Sequence, residues 1–395
     1  MLQKPFCRFA TFLLGCLFFS LTCEGQDIRP APAKAGEVIA KLSHEVETVK
    51  RVVSNPWVID WTEAIAKLPT IEPRTISYND KDLMVDEDLF YYGRYGSPLA
   101  YARPLDLAVS AGFQGNSTAR ILDFGYGSIG HMRMLALSGH HCVGVDVAPM
   151  LKAIYADSSG PLGNGSVQLF HGRFPKEQEL LSKVGKNYDL VLSKNVLKLG
   201  YIHPTREVPD SRMLIDLGVD DRLFLSSVAG ILKPNGLFVI YNFCPAKAPL
   251  DKPYVPWSEG ESPFSKEDFR TAGFEVLHFD VKDDVEARRL AKALQWDTKG
   301  GMNLEDDLFA WYTIVRKKPS SDLLSIHDHE LLSLSAVIGT LHLARSRRGQ
   351  IVINGNEQRQ RTRKRKNLHL PPSSFVASHK KAQSSQKKTL LLCCL

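Results

Sequence analysis

The sequence predicts an α/β protein with a doubly wound, mostly parallel seven-stranded sheet and helices on both faces. A helical N-terminal extension precedes the sheet, and a disordered basic tail follows it. Three observations carry this reading. From residue 120 onward, short apolar runs alternate with segments of helical spacing, as repeated strand–helix units require. The early runs are flanked on both sides by helical segments, so both faces of the sheet are expected to be covered. Turn signals punctuate the alternation at Gly139, Asn164-Gly165, Gly185, Asn235-Gly236 and Gly273.

Taken in order, residues 1–25 read as a signal peptide. Lys4 and Arg8 precede an apolar run over 9–21, and cleavage after Gly25 fits the small residues there. That run suits a signal core but falls short of the roughly 20 residues that span a bilayer. No transmembrane span is expected after it. Residues 26–105 form the extension. Helical spacing covers 36–68 through Val38, Ile39, Leu42, Val46, Val49, Val52 and Val53. The stretch 90–104 then offers Tyr91, Tyr92, Arg94, Tyr95, Tyr101 and Arg103 as a candidate lid. The catalytic domain is expected over 106–318. Its strands are read at 120–124, 141–146, 167–171, 188–193, 236–243, 274–280 and 307–316. Its helices are read at 128–138, 148–156, 175–184, 219–232, 265–272 and 284–296.

Residues 319–395 close the chain as a low-complexity tail that cannot bury enough apolar surface to order itself. The chain's net +7 has its origin here. Residues 341–395 hold 13 Lys/Arg and a single acid, Glu357, leaving 37 basic against 42 acidic residues in 1–340. The tail is therefore a nonspecific polyanion contact at most, and the body is mildly acidic. With 44% apolar and 24% charged residues, the 395-residue chain is composed like a globular enzyme, not a collagen-like, disordered or disulfide-dense scaffold. The cysteine spacing suggests neither a disulfide framework nor a metal site.

The strongest motif is ARILDFGYGSIGHM at 119–132. A strand ends at Asp123, and Gly125, Tyr126 and Gly127 lead with Gly130 into a helix. Glycine lets the backbone turn tightly and approach a ligand without Cβ interference. The spacing Gly125-x-Gly127-x-x-Gly130 also satisfies the dinucleotide fingerprint, so the glycines alone leave two cofactors open. Asp123 separates them: a carboxylate there repels a pyrophosphate and suits a cationic ligand. Asp146, with Val147 behind it, ends the next strand and can accept hydrogen bonds from ribose hydroxyls.

These residues resemble the class I S-adenosylmethionine-dependent methyltransferases over roughly 120–316. YDLVLSKNVL (188–197) is similar to the family's fourth-strand segment, and LKPNGLFVIYN (232–242) to its helix–turn–strand segment. The resemblance implies S-adenosylmethionine as cofactor. Asp123 and the Gly125–Gly127 turn would hold its methionine portion and Asp146 its ribose, with Tyr126, Val147, Gly172 and Ser193 completing the site. The chain departs from the family where Ile129 takes the usual third-glycine position. It departs again where Arg173 follows Gly172, since Arg cannot accept a hydrogen bond from adenine.

Candidate acceptor-side residues follow the fourth strand: Lys194, Asn195, Tyr201 and His203, with His203 as a candidate base near neutral pH. The Asn-Pro-Pro-Tyr-type motif of many amino- and nucleic-acid N-methyltransferases is absent there, which argues against base methylation, and the expected acceptor is an unidentified small molecule. A Rossmann-type NAD(P)-dependent oxidoreductase and a non-catalytic cofactor-binding module are the alternatives. The signal implies export to a periplasmic or extracellular space, in conflict with an intracellular cofactor. Membrane-tethered and cytoplasmic placements are the other options. The sequence leaves oligomeric state open.

Overall fold

The computed structural model of the chain describes residues 33–93 and 96–319. The expected signal peptide and basic tail lie outside the described residues, apart from the first position of the latter.

Helix α1 (Glu37–Val49) buries Val38, Leu42, Val46 and Val49 along one stripe. Its N-terminal N–H groups are met by the fully buried Glu87. That carboxylate accepts from Gly36 N at 3.0 Å, Val38 N at 2.8 Å and Ile71 N at 3.1 Å. The helical spacing over 36–68 resolves into two helices. Asn55, preceding Pro56, is extended (ψ 122°) and caps α2 (Pro56–Glu63) by accepting from Trp57 N.

The extension is not purely helical, which corrects the expectation for 26–105. A hairpin of β1 (Arg74–Tyr78) and β2 (Lys81–Val85) turns through Asn79 and Asp80. Both residues have positive φ, the requirement of a tight two-residue hairpin turn. Short helices α3 (Glu87–Tyr91) and α4 (Ala102–Ser110) lead into the sheet.

The sheet has eight strands, one more than expected, in the order β5-β6-β4-β3-β7-β8-β10-β9. The added strand is β5 (Gly160–Leu162), a three-residue edge piece antiparallel to β6 (Gly165–His171). Its Gly-Pro-Leu sequence carries no strand signal. Strands β3 (Arg120–Phe124), β4 (His141–Asp146), β6, β7 (Tyr188–Lys194) and β8 (Leu232–Cys244) run parallel. At the other end of the sheet β10 (Phe309–Lys317) also reverses, between β8 and β9 (Phe274–Lys282). From β3 the chain first builds outward through β4 to β6, then returns to add β7 on the other side of β3. The gap between β3 and β7 is the topological switch point, where a crevice opens at the strands' carboxyl ends.

Alternation along the strands feeds two cores. Ile121, Leu190, Leu192 and Val239 join one with α1, α2, α4, α5 (Gly130–Leu137) and α11 (Asp284–Ala293). Leu122, Val191, Phe238 and Ile240 join the other with α7 (Gln178–Val184), α9 (Asp221–Ile231) and α10 (Lys266–Thr271). The remaining helices are α6 (Pro149–Ile154), α8 (Leu199–Ile202) and α12 (Leu304–Asp307). Among the described residues no helix is long and apolar enough to cross a membrane.

Candidate functional site

The switch point is built by the turn that follows β3. Gly125 and Gly127 both have positive φ (76° and 57°), which lets the chain reverse into α5. A Cβ at Gly125 would lie 2.4 Å from Val196 Cγ2, so the turn also packs too closely for any side chain. Three of the turn's N–H groups are spent within the protein. Gly125 N donates to Val145 O at 2.8 Å, Gly127 N to Asp146 Oδ2 at 3.2 Å, and Ser128 N to Tyr126 O at 2.5 Å. Asp146 also accepts from Ala148 N at 2.8 Å through Oδ1. Burial raises its pKa while those N–H bonds oppose the shift. Tyr126 is buried, but Val147 stands 43% exposed beside the carboxylate.

Asp123 is 1% exposed. Its Oδ2 accepts from Tyr101 Oη at 2.9 Å and pairs with His131 Nε2 at 2.6 Å. The Tyr101 and His131 rings stack with centroids 3.5 Å apart and planes 3° apart. Burial pushes the His131 pKa down against the pull of Asp123, and Nε2 is placed to donate to that carboxylate. Burial also lifts Tyr101 well above its ordinary range, so its hydroxyl stays a donor. Asp123 Oδ1 remains, buried and without a hydrogen-bond partner.

Lys194 ends β7 on the other side of the switch point, 9% exposed. Its Nζ lies 5.0 Å from the Tyr101 ring centroid and 5.8 Å from that of Phe243. Burial pushes its pKa down to about 8, opposed by Asp123. Lys198, equally sequestered and pushed by burial to about 8, donates to Phe243 O at 2.7 Å and lies over the Tyr201 ring. Ser193 Oγ is buried without a partner.

The other sequence candidates take structural positions. Asn195 has φ 66°, and its Oδ1 accepts from Phe243 N at 2.7 Å, fixing the exit of β7 to β8. Tyr201 is buried in α8, where its carbonyl accepts from Ile215 N. His203 Nε2 pairs with Asp221 Oδ2 at 2.7 Å, with its side chain 48% exposed. The structure does not join His203 to Asp123 or Lys194 by any of its recorded contacts. Gly172 has φ 150° and leaves room for Glu177, whose Oε2 would sit 2.8 Å from an added Cβ. Arg173 turns outward to Asp216 at 2.9 Å. In the candidate lid, Tyr91 donates to Pro69 O, Tyr92 donates to Glu45, and Arg103 binds Asp283 through two nitrogens. Arg94 and Tyr95 lie outside the described residues.

Sequence reasoning missed His131 and Lys198. His131 was signalled by a polar residue opening α5 directly after Gly130, on the side of the turn that faces the end of β3. Among the described residues no group of three His, Cys, Asp or Glu side chains is placed to hold a metal.

No protein-family model matches the chain, and no curated protein matches it. Solved structures do. The chain is similar to a putative sarcosine dimethylglycine methyltransferase from Galdieria sulphuraria, with 15% identity, TM-score 0.35, and coverage of 62% of this chain and 91% of that one. It is similar to the [4+2]-cyclase SpnF, with 16% identity, TM-score 0.33, and coverage of 55% and 80%. It is also similar to Haemonchus contortus phosphoethanolamine N-methyltransferase 2, with 15% identity, TM-score 0.33, and coverage of 59% and 55%. Likeness at that level carries no argument about activity, so function rests on the residues themselves.

Proposed function

We propose that the chain binds S-adenosylmethionine at the switch point and transfers its methyl group to a small-molecule acceptor. One observation carries the reading. The glycine turn has a buried carboxylate oxygen, Asp123 Oδ1, with no partner, while the N–H groups of Gly125, Gly127 and Ser128 are already bonded. A dinucleotide needs free turn N–H groups for its pyrophosphate, and a carboxylate beside it is repulsive. A cationic ligand needs the reverse, an unused acceptor.

The residues fit that group. Asp123 Oδ1 would accept from the ligand's ammonium. Asp146 keeps further acceptor capacity on both oxygens for ribose hydroxyls. Val147 offers exposed apolar surface next to it, and Ser193 Oγ is a second unused polar atom. The bound sulfonium supplies an activated methyl group, so the protein's task is alignment and exclusion of water. A proton must be removed only from a protonated acceptor. His203, the candidate base, is engaged with Asp221.

Thermal shift tests the cofactor first. S-adenosylmethionine and S-adenosylhomocysteine should each raise the melting temperature, by RT ln(1 + [L]/Kd) in free energy, and NAD(H) should not. Stabilisation by NAD(H) alone would overturn the proposal in favour of an oxidoreductase. Labelled-methyl transfer into a fractionated extract then tests turnover, and binding without transfer to any fraction would identify a non-catalytic module.

A further inference from the structure

At the switch point an ammonium and one carboxylate oxygen, Asp123 Oδ1, are each left without a hydrogen bond among the described residues. Lys194 is nine-tenths buried, yet its ammonium makes no hydrogen bond among the described residues. Its contacts are the faces of Tyr101 and Phe243, weak attractions that leave its N–H donors free. Neither ring face accepts a hydrogen bond as a carboxylate would, so the donors of the ammonium stay unused within the protein. Asp123 does not close the gap. No described ion pair joins it to Lys194, its Oδ2 is taken by Tyr101 and His131, and its Oδ1 is empty-handed. The Tyr101 ring lies between them, bonded to the carboxylate by its hydroxyl and overlain by the ammonium.

A ligand group that satisfies both atoms must present a cation to Asp123 and an anion to Lys194 a short distance away. An α-amino acid is such a group. Resting on the reading of this site as an S-adenosylmethionine pocket, we propose that Lys194 binds the carboxylate of the ligand's amino-acid end. Asp123 and Lys194 then form a zwitterion clamp that selects adenosyl compounds carrying the intact amino acid. Lys194 is a specificity-determining residue for the cofactor in this arrangement, not a base toward the acceptor. Four titratable or charged groups face it: Asp123 from β3, Tyr101 from the turn before α4, His131 from α5, and Lys198 from the loop after β7.

The test compares S-adenosylhomocysteine with 5′-methylthioadenosine, which has the adenosine and sulfur but no amino acid. By calorimetry the full chain should bind the homocysteine compound at least about tenfold more tightly. Near pH 8 that binding should take up about half a proton, because a carboxylate restores the charge of a half-neutral Lys194, and methylthioadenosine should take up none. Lys194→Met should lower affinity for S-adenosylhomocysteine about 10- to 100-fold, abolish the proton uptake, and leave methylthioadenosine within about twofold. The unliganded variant should also melt at a higher temperature, since an unpaired buried charge is gone. Equal affinity of the wild type for the two compounds, or equal loss of both in Lys194→Met, overturns the clamp and leaves the cofactor assignment standing. Failure of the wild type to bind any adenosyl compound overturns both. The wild-type comparison stands even if the variant does not fold.

Discussion

Replacing Gly125 with alanine puts a methyl group where the glycine turn has none, and two separate costs follow. The residue sits at φ 76°, a left-handed conformation that costs a residue with a Cβ about 1–2 kcal/mol. The new Cβ would lie 2.4 Å from Val196 Cγ2, 3.2 Å from its Cβ and 3.3 Å from its Cγ1. Carbon contacts settle at about 3.5–4.0 Å, so overlap of about 1 Å must be relieved by moving Val196 or the turn. Overpacking of this size costs about 1–3 kcal/mol. Together the substitution should destabilise by about 2–5 kcal/mol, or roughly 5–15 °C in melting temperature for a domain of this size. The Val196→Ala change separates the terms. Val196 is only half-buried, so alone its loss should cost about 1 kcal/mol or less. Combined with Gly125→Ala it should recover the steric part and leave the backbone part. Urea unfolding of the four proteins measures this cycle. Gly125→Ala within about 0.5 kcal/mol of wild type, or no coupling between the two sites, would refute the account of the turn.

Three further outcomes follow from the same structure. Glu87→Gln should cost about 2–3 kcal/mol in urea unfolding, because an amide NH₂ would face backbone N–H groups that a carboxylate now accepts; a loss below about 0.5 kcal/mol would sink this. His140 is buried against Trp57 and Phe113, accepts from Ala119 N, and is pushed by burial to about 4. Above pH 6.5 it is neutral folded or unfolded. As pH falls from 6.5 to 4 only the unfolded chain takes the proton, so up to about 3 kcal/mol of stability should be lost. His140→Gln should flatten that slope, and an unchanged slope would assign the loss elsewhere. Removing residues 341–395 should leave S-adenosylhomocysteine affinity unchanged while abolishing most retention on heparin; reduced cofactor affinity would show that the tail belongs to the fold.

The doubly wound sheet was legible because its strands are buried on both faces, so β3, β4 and β7 stand out as apolar runs between helices. The features that escaped lack such a signal. Strand β5 is three residues that pair only because β6 offers an edge, and the β1–β2 hairpin is half-exposed, with its alternation diluted by charged residues. In the site, Asp123, Gly125, Gly127 and Asp146 were readable because backbone geometry demands those types at fixed spacing. His131 and Tyr101 were not readable as a pair. They are 30 residues apart and meet only because α4 and α5 pack on one face of the sheet. Lys194 was readable as a residue near the crevice but not as a charge without a partner, since that is a property of its neighbours. Asn195 was readable as a polar residue at a strand end, but its positive φ and its bond from Phe243 N were not, since they depend on β8.

Strand order converts three sequence-distant residues into one arrangement that the glycines alone could not specify. Asp123 is level with Gly144 on β4 and Leu192 on β7. Asp146 and Lys194 each lie two residues further on, so both stand about 6–7 Å beyond Asp123, on strands about 10 Å apart. Alternation puts all three on the same face of the sheet. Asp123 is therefore the recessed apex of a cleft whose one rim is a carboxylate and whose other rim is an ammonium. A ligand lying across it meets hydrogen-bond acceptors on the β4 side, negative charge at the base and positive charge on the β7 side. A dinucleotide would bring its phosphates to the apex, where Asp123 stands and the N–H groups of Gly125, Gly127 and Ser128 are already used. An adenosyl amino acid would bring hydroxyls to the first rim, a cation to the apex and a carboxylate to the second. On the proposed reading, the polarity of this row, set by which strands flank β3, would discriminate between two cofactors that share one glycine spacing.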